Sequence, residues 1–348
     1  MFNLNNRQKE IVSMLPGREM GAVEILEELL KHNVDASIST VKRDLKILKE
    51  NNLIEAIGAG KSIKYKLSDQ FSLKSPVDID KYFENRLNRY ISFNDKIFDL
   101  IAKNDIFTDE ENKELDDLSD RYVSKIKKLD QDILRREIER LTIDLSWKSS
   151  AIEGNTYDLL ETETLIKQGI EAKGKPKEDA VMILNHKKAI KYIFDNSGVF
   201  KTLTIDSLVN LHSILVKDLS VKTGLRNSPV GITGTNYEPL SSRQKIREAL
   251  SRAFEILNKK KNPFAKSLLA LLLISYIQPF TDGNKRTSRL FSNAILLSGG
   301  LYPLSFRNVD ITEYKKAVII FYEINNLYNF KRMFIEQCKF AVEEYFHA

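Results

Sequence analysis

The segment 276–290 constrains the fold of this chain of 348 residues most, because it joins an apolar run to a polar turn and a basic helix start. The apolar run, 268–277, is too short to span a bilayer and predicts a buried helix. An Asn-Pro pair at 262–263 gives that helix an N-cap and a first-turn proline. After the turn, Thr281 or Asp282 is predicted to cap a second helix.

The start of this second helix predicts a polyphosphate site. Gly283 and Asn284 leave backbone N–H groups pointing beyond the helix N-terminus, which attracts anions. Arg286 and Arg289 lie three residues apart and can fork onto phosphate oxygens, while Asp282 is a hard oxygen ligand suited to Mg2+. Together these groups would hold a nucleoside triphosphate and its metal. The alternative is an ordinary Asp-Gly-Asn turn followed by a solvated helix face.

The whole stretch resembles the core motif of the Fic (Fido) family, H-P-F-x-D-G-N-G-R-x-x-R. This resemblance implies ATP and Mg2+ as cofactors and transfer of AMP to a hydroxyl group of a target protein. It implies a buried anchor at Phe280 and a Mg2+ ligand at Asp282. The implied catalytic positions are Gln278 (in place of the family histidine), Asp282, Asn284 and Arg286. The implied nucleotide-binding residues are Gly283, Asn284, Lys285, Arg286 and Arg289.

Two positions depart from that motif. Gln278 replaces the histidine that, in the family, accepts the proton of the attacking hydroxyl, and an amide cannot act as a base at neutral pH. Lys285 replaces a glycine, as in the related Doc toxins, which phosphorylate their targets. It either changes how the phosphates lie or only faces solvent. His212 is predicted to be a packed or surface histidine and not a substitute base.

A second motif lies upstream. Ser149 and Glu153 share a helix face, and Gly154 supplies the left-handed residue that ends the helix. The segment resembles the family's inhibitory motif [S/T]-x-x-x-E-[G/N], which implies that Glu153 pairs with Arg289 and blocks productive seating of the nucleotide.

Short alternating apolar residues bounded by turn formers, between Gly224 and Pro239, predict a small β-hairpin. This segment resembles the Fic flap, which aligns an extended target along a strand edge. The implied target-docking residues are Val230, Gly231, Ile232, Thr233 and Gly234. A surface hairpin that only links two helices is the alternative. The resemblance covers roughly 144–341.

The first 68 residues predict a separate winged helix-turn-helix domain, with helices at 6–14, 22–31 and 40–51 and a hairpin at 54–67. Ser39 is predicted to cap the third helix. The segment resembles DeoR-like bacterial repressor domains, although winged helices with acidic surfaces can also bind protein. DNA binding would most simply require a homodimer. The predicted DNA contacts are Lys42, Arg43, Lys46, Lys49, Lys61 and Lys64.

Residues 69–143 are predicted to form a helical linker region, with helices at 78–103 and 108–128 as an antiparallel pair. The Fic domain, including its inhibitory helix, would occupy 144–348. The predicted fold is thus mainly α: a Fic-type helical bundle with a small hairpin flap, plus the winged helix. The net charge of +6 favours an anionic partner. A single cysteine, Cys338, favours the reducing cytoplasm, and no membrane span is predicted.

Two hypotheses about function follow. The chain is either a Fic-type transferase, slowed by the loss of the histidine, or a transcriptional regulator whose Fic-like domain senses a nucleotide without turnover. Removal of AMP, with Glu153 orienting a water molecule, is a third hypothesis that also lacks a proton donor. The sequence identifies neither the target protein nor the operator.

Overall fold

The computed structural model describes residues 4–84, 86 and 90–346, and it does not describe the side chain of Lys61. Helices account for 64% of it, which confirms the mainly α class. The described residues form two compact units. The first combines Met1–Tyr90 with Gly234–Asn236 and Lys316–Phe330, and the second contains Ile91–Thr233, Tyr237–Lys315 and Lys331–Ala348.

The elements are as follows. The first unit contains α1 Asn6–Met14, β1 Met20–Gly21, α2 Ala22–Lys31, α3 Ile38–Glu50, β2 Ile54–Ile57, β3 Lys64–Leu67, α4 Asp69–Ser72 and α5 Ile79–Glu84. The second contains β4 Ile91–Ser92, α6 Lys96–Lys103, α7 Asp109–Ile126, α8 Gln131–Ile152, α9 Leu159–Gln168, α10 Lys177–Asp195, α11 Ile205–Leu215, β5 Tyr237–Glu238, α12 Arg243–Lys259, α13 Pro263–Ile277 and α14 Asn284–Ser298. Two more helices, α15 Ile311–Ile324 and α16 Tyr328–Glu344, contribute residues to both units.

In the first unit, α1 to α3 share an apolar core with a three-stranded antiparallel sheet whose strand order is β1-β3-β2. The bounds of α1 and α2 match the predicted ones. The predicted start of α3 was wrong, because Ser37 and not Ser39 is the N-cap: the Ser37 Oγ accepts a hydrogen bond from the Thr40 N–H at 3.2 Å. Residues buried on α3 are Val41, Asp44, Leu45 and Leu48.

The prediction of one long helix at 78–103 was also wrong. The predicted antiparallel pair of this helix with the next one therefore does not form. Residues 86 and 90 are not helical, and Ile91 and Ser92 pair in parallel with Tyr237 and Glu238 as β4 and β5. This pairing is between residues far apart in sequence, which a local helical pattern cannot reveal. Helix α7 begins after a capping box formed by Thr108 and Glu111, as predicted.

The core of the second unit is built around α13. Every residue from Ser267 to Ile277 is buried, and α13 packs against α14 and α12. Asn262 caps α13 by accepting a hydrogen bond from the Ala265 N–H at 3.0 Å, as predicted. The Ser267 and Ser292 hydroxyls lie 2.6 Å apart, which joins α13 to α14 through a satisfied polar pair. No helix among the described residues is long and apolar enough to cross a membrane.

Replacing a leucine at the centre of α13 should destabilise the second unit. Leu271 is fully buried, so Leu271→Ala leaves a cavity and should lower the free energy of unfolding by about 2–5 kcal/mol. The matched control is Leu160→Ala on α9, where the leucine is 72% exposed and the change should be small. Urea unfolding followed by circular dichroism measures both. Equal shifts would contradict the assignment of α13 as the core helix.

Candidate functional site

The turn between α13 and α14 has a left-handed residue at each end. Gln278 closes α13 with φ 51°, and Gly283 opens α14 with φ 77°. The prediction that Thr281 or Asp282 caps α14 was wrong, because the left-handed backbone at Gly283 occupies the N-cap position. No side chain caps this helix, so the N–H groups of its first turn remain available to an anion.

Arg226 holds the end of α13 and was not singled out from the sequence. It is 3% exposed, and its guanidinium donates to the carbonyl of Gln278 at 2.6 Å and to the carbonyls of Ser228 and Leu240. Burial lowers the pKa of Arg226 to about 10, so it remains charged at neutral pH. One buried cation thereby satisfies carbonyls that the end of α13 and the preceding loop leave without partners.

The side chain of Asn284 closes the turn. Its Oδ1 accepts from the Phe280 N–H, and its Nδ2 donates to the Phe280 carbonyl, both at 2.8 Å. Phe280 is fully buried and stacks on His212, with ring centroids 3.6 Å apart. The His212 Nε2 bonds to the Asp282 carbonyl at 3.0 Å, so His212 is a packed residue, as expected. Asn284 can therefore offer a ligand its backbone N–H, while its amide shapes the loop.

Most of the predicted site residues line one cavity of about 160 Å³. Gln278 and Asp282 lie in its wall, but the Gln278 Nε2 already donates to the Ser275 carbonyl at 2.6 Å. The lining residues are Glu153, Val230, Gly231, Ile232, Thr233, Gln278, Thr281, Asp282, Gly283, Asn284, Lys285 and Arg286. The structure thus brings the turn, Glu153 and residues 230–233 together.

Arg286 is the strongest sign that this cavity accepts an anion. It is 2% exposed, its Nη2 lies 3.2 Å from Asp282 Oδ2, and its Nη1 has no hydrogen-bond acceptor among the described residues. Burial lowers the pKa of Arg286, the expected cost of a desolvated charge. A phosphate oxygen would satisfy the orphaned donor.

Asp282 fits a Mg2+ ion that also binds phosphate. Its side chain is 66% exposed, so one carboxylate oxygen can face a metal while the other contacts Arg286. Among the described residues, no group of three His, Cys, Asp or Glu side chains could hold a metal by itself. Mg2+ is commonly held by one or two carboxylates, substrate phosphates and water, which is the donor set available here.

Arg289 is fully buried and binds the end of α8. Its Nη2 donates to Glu153 Oε1 and to the Ser149 carbonyl, both at 2.8 Å, and its Nε donates to the Ser149 hydroxyl at 2.9 Å. Burial alone would lower the pKa of Arg289, but Glu153 and Tyr314 outweigh it and raise the pKa. Tyr314, whose hydroxyl is 3.5 Å from the guanidinium, is another residue without a sequence signal.

The end of α8 has the predicted form. Glu153 is its C-cap and Gly154 follows with φ 97°, the left-handed conformation that ends the helix. Lys285 lines the cavity and lies 3.8 Å from Glu153, measured from Nζ to Oε2. Glu153 is therefore within reach of two cations. This position argues against a Lys285 that only faces solvent.

The small hairpin predicted between Gly224 and Pro239 was wrong. Residues 230–233 have no strand structure, and Gly234, with φ 88°, belongs to the first unit. Pro229 and Gly231 explain this, because proline lacks a donor and glycine weakens a strand. The next strand, β5, pairs with β4 instead.

The predicted DNA-contacting residues lie in the first unit. The α3 cations Lys42, Arg43, Lys46 and Lys49 are all exposed, as is Lys64 on β3, whereas the side chain of Lys61 lies outside the described residues. Within α3, Lys46 lies 3.8 Å from Glu50.

Residues 202–296 match the model of the Fic/DOC family, a range that includes the turn, most of α14 and residues 230–234. The family resemblance of the motif is thereby confirmed. Ser149 and Glu153 lie outside the matched range.

Curated relatives and solved structures are similar to this chain as well, and they too are Fic proteins by name. The chain is 29% identical over 224 residues to "Protein adenylyltransferase Fic" of Nematostella vectensis, covering 56% of this chain and 51% of the relative. It is 22% identical to "Protein adenylyltransferase fic-1" of Caenorhabditis elegans, covering 62% and 43% respectively. The chain thus spans about half the length of these relatives or less.

The fold is similar to that of residues 134–508 of C. elegans Fic-1, with a TM-score of 0.54 at 19% identity, covering 72% of this chain and 80% of that one. A Fic family protein from Desulfovibrio desulfuricans gives a TM-score of 0.56 at 21% identity, covering 69% and 75%. These similarities extend the Fic fold beyond the matched 95 residues of 202–296.

His186 on α10 is a buried titratable group close to the arginines of the site. It is fully buried, and neither ring nitrogen has a hydrogen-bond partner among the described residues. Burial lowers its pKa well below the ordinary value of 6.5, and the charges of Arg286 and Arg289 lower it further. The ring is therefore neutral in the folded protein at neutral pH.

We expect His186 to make stability fall as the pH drops below about 6.5. The unfolded chain binds a proton there that the folded chain excludes, so His186 lowers the free energy of unfolding by up to about 1.4 kcal/mol per pH unit. Urea unfolding at several pH values, compared between the native chain and His186→Leu, measures this effect. The variant should lose stability less steeply in acid, and identical slopes would contradict the buried neutral ring.

Proposed function

We propose that the second unit binds ATP with Mg2+ and transfers AMP to a hydroxyl group of a protein, under restraint by Glu153. The observation that carries this proposal is the 2.8 Å ion pair between Glu153 and Arg289 beside the open N-terminus of α14. A fully buried guanidinium needs an anionic partner, and a polyphosphate could replace the carboxylate. The names of the matching relatives support AMP transfer as the reaction.

The chain's residues suit binding of a polyphosphate. The N–H groups at the start of α14 and the free Nη1 of Arg286 would contact phosphate oxygens, and Asp282 would hold Mg2+. When bound, Mg2+ would neutralise charge on the phosphates. Arg289 would join the phosphate contacts only after Glu153 leaves it, so the carboxylate competes directly with the ligand.

In the proposed reaction the target hydroxyl oxygen bonds to the α-phosphorus, the bond to the bridging oxygen breaks, and pyrophosphate leaves. The hydroxyl proton passes to water, because the amide of Gln278 cannot accept it. Losing a general base typically slows a reaction by about 100- to 10,000-fold, so positioning and electrostatic stabilisation would leave a slow transferase. The backbone of residues 230–233, which forms no strand here, would align the target by adding hydrogen bonds.

A second candidate function follows from Gln278. The same unit could bind the nucleotide without turnover and regulate transcription through the first unit, which would need a different nucleotide affinity in each of two states. The exposed basic residues of α3 favour this candidate.

We also propose that the first unit contains a winged helix domain at 1–68 that binds DNA as a homodimer, with 69–143 as a helical linker region and 144–348 as the Fic domain. The support is the strand order β1-β3-β2 after three helices, with Lys42, Arg43 and Lys49 exposed on α3. The cytoplasm is the proposed compartment, because the single cysteine, Cys338, is buried and free.

Transfer of label from ATP separates the two functions. Native chain, Glu153→Gly, Gln278→His and the double variant are incubated with α- or γ-labelled ATP, Mg2+ and a cell lysate. We expect weak α-label transfer from Glu153→Gly, and an increase of about 100-fold or more when Gln278→His is added. Glu153→Gln is the matched control, since it removes the charge but keeps the side-chain size.

The other outcomes are equally informative. Transfer only from variants that contain Gln278→His would reject the native transferase and favour the regulator. Transfer of the γ-label would indicate phosphorylation, as in the Doc toxins, and would point to Lys285 as the cause. Absence of transfer from the double variant would reject the catalytic proposal.

Removal of basic residues from α3 should weaken DNA binding. The combined variant Lys42→Ala, Arg43→Ala, Lys49→Ala should bind a labelled duplex of about 30 base pairs more weakly. The slope of the logarithm of the binding constant against the logarithm of salt concentration should become shallower. We expect a change of about 0.9 for each phosphate that the variant no longer neutralises. Fluorescence anisotropy at several salt concentrations measures both.

The charge-matched control replaces Lys188, Lys191 and Lys245, exposed cations of the second unit. An equal loss of affinity in this control would show that only net charge matters. It would contradict a DNA-binding face on α3.

A further inference from the structure

We propose that Lys285 has two opposite roles: it helps to hold Glu153 in the site when no nucleotide is bound, and it contacts the nucleotide's phosphates once Glu153 has left. This inference rests on the proposed nucleotide-binding function and names the residue that would set the preference for phosphate-rich ligands. Lys285 stands where the Fic motif has a glycine, so it brings a cation that a glycine at this position could not supply.

The first role follows from the two oxygens of Glu153. Oε1 lies 2.8 Å from Arg289 Nη2, and Oε2 lies 3.8 Å from Lys285 Nζ. The Glu153 side chain is 20% exposed and that of Lys285 is 26% exposed, so water screens their attraction only in part. Both cations thus attract the carboxylate toward the position in which it blocks Arg289.

The second role follows from the place of Lys285 on α14. It is the second residue of the helix, and it lines the same cavity as Asp282 and Arg286. When a polyphosphate displaces Glu153, Lys285 loses its carboxylate and remains beside the bound anion. A mobile ammonium group can then pair with a phosphate oxygen.

A purely structural lysine would not give the following result. Removing Lys285 should raise nucleotide affinity when Glu153 is present and lower it when Glu153 is replaced. With Glu153 present, Lys285→Met removes part of the attraction that keeps the site closed, so nucleotide binding should tighten. With Glu153 replaced, the same substitution removes only an interaction with phosphate, so binding should weaken.

The test is a double-mutant cycle on the full chain, by isothermal titration calorimetry with ATP and Mg2+, and separately with AMP. The four proteins are the native chain, Lys285→Met, Glu153→Gln and the double variant. We expect Lys285→Met to raise ATP affinity about two- to fivefold in the native background, the range of a partly screened ion pair. In the Glu153→Gln background it should lower ATP affinity about tenfold and AMP affinity less, because AMP has fewer phosphates.

Trp147 provides an independent readout. It is the only tryptophan of the chain and lies on α8, the helix that ends at Glu153. Its fluorescence should report ATP binding with the same order of affinities among the four proteins.

Two further variants separate charge from packing. Lys285→Arg keeps the cation, so its ATP affinity should match that of Lys285 in both backgrounds. Thermal melting checks that each protein is folded. Lys259→Met removes a lysine from an exposed pair with Glu255 on α12 and should change no affinity.

The outcomes distinguish the two levels of the proposal. If Glu153→Gln binds ATP but Lys285→Met acts with the same sign in both backgrounds, or has no effect in either, the dual role of Lys285 is rejected and nucleotide binding stands. If neither Glu153→Gln nor the double variant binds ATP, the nucleotide-binding function and the role of Lys285 are both rejected.

Discussion

The ion pair between Arg289 and Glu153 is the interaction on which the state of the site depends. A fully buried guanidinium is costly unless its charge and its donors are satisfied, and here the end of α8 satisfies them through Glu153 and Ser149. The contact joins two segments 136 residues apart in sequence. The same buried charge that would suit Arg289 to the proposed phosphate therefore makes it a strong binding site for the carboxylate of Glu153.

Two other buried arginines show how differently one residue type is used around the same turn. Arg226 directs its donors to backbone carbonyls and stabilises the end of α13, whereas Arg286 keeps one nitrogen without a partner among the described residues. A buried donor without an acceptor costs free energy, and such a cost is tolerated most readily where a ligand removes it. The contrast separates an arginine that shapes the turn from one that is poised for an anion.

The local parts of the fold were predictable because their signals are local. The N-cap of α13, the capping box of α7 and the left-handed Gly154 follow from side-chain chemistry within a few residues. The larger errors arose where a distant partner decided the outcome, whereas the N-caps of α3 and α14 were misassigned locally. The helix predicted at 78–103 is broken because Ile91 and Ser92 pair with a distant strand. The hairpin predicted between 224 and 239 does not form because β5, which lies in that range, pairs with β4 instead.

The sequence alone determined the side chains available to this protein: two arginines at a helix start with an aspartate before it, a glutamine at position 278, and a serine and a glutamate four residues apart. Those features are set by residue type and short spacing. Only the tertiary structure decided which groups meet. It joined Glu153 to Arg289 and Lys285, and it committed the amide of Asn284 to the turn. It also left Arg286 with a donor that no described residue satisfies. These outcomes could not be read from the sequence because burial and the choice of partner depend on contacts between distant segments.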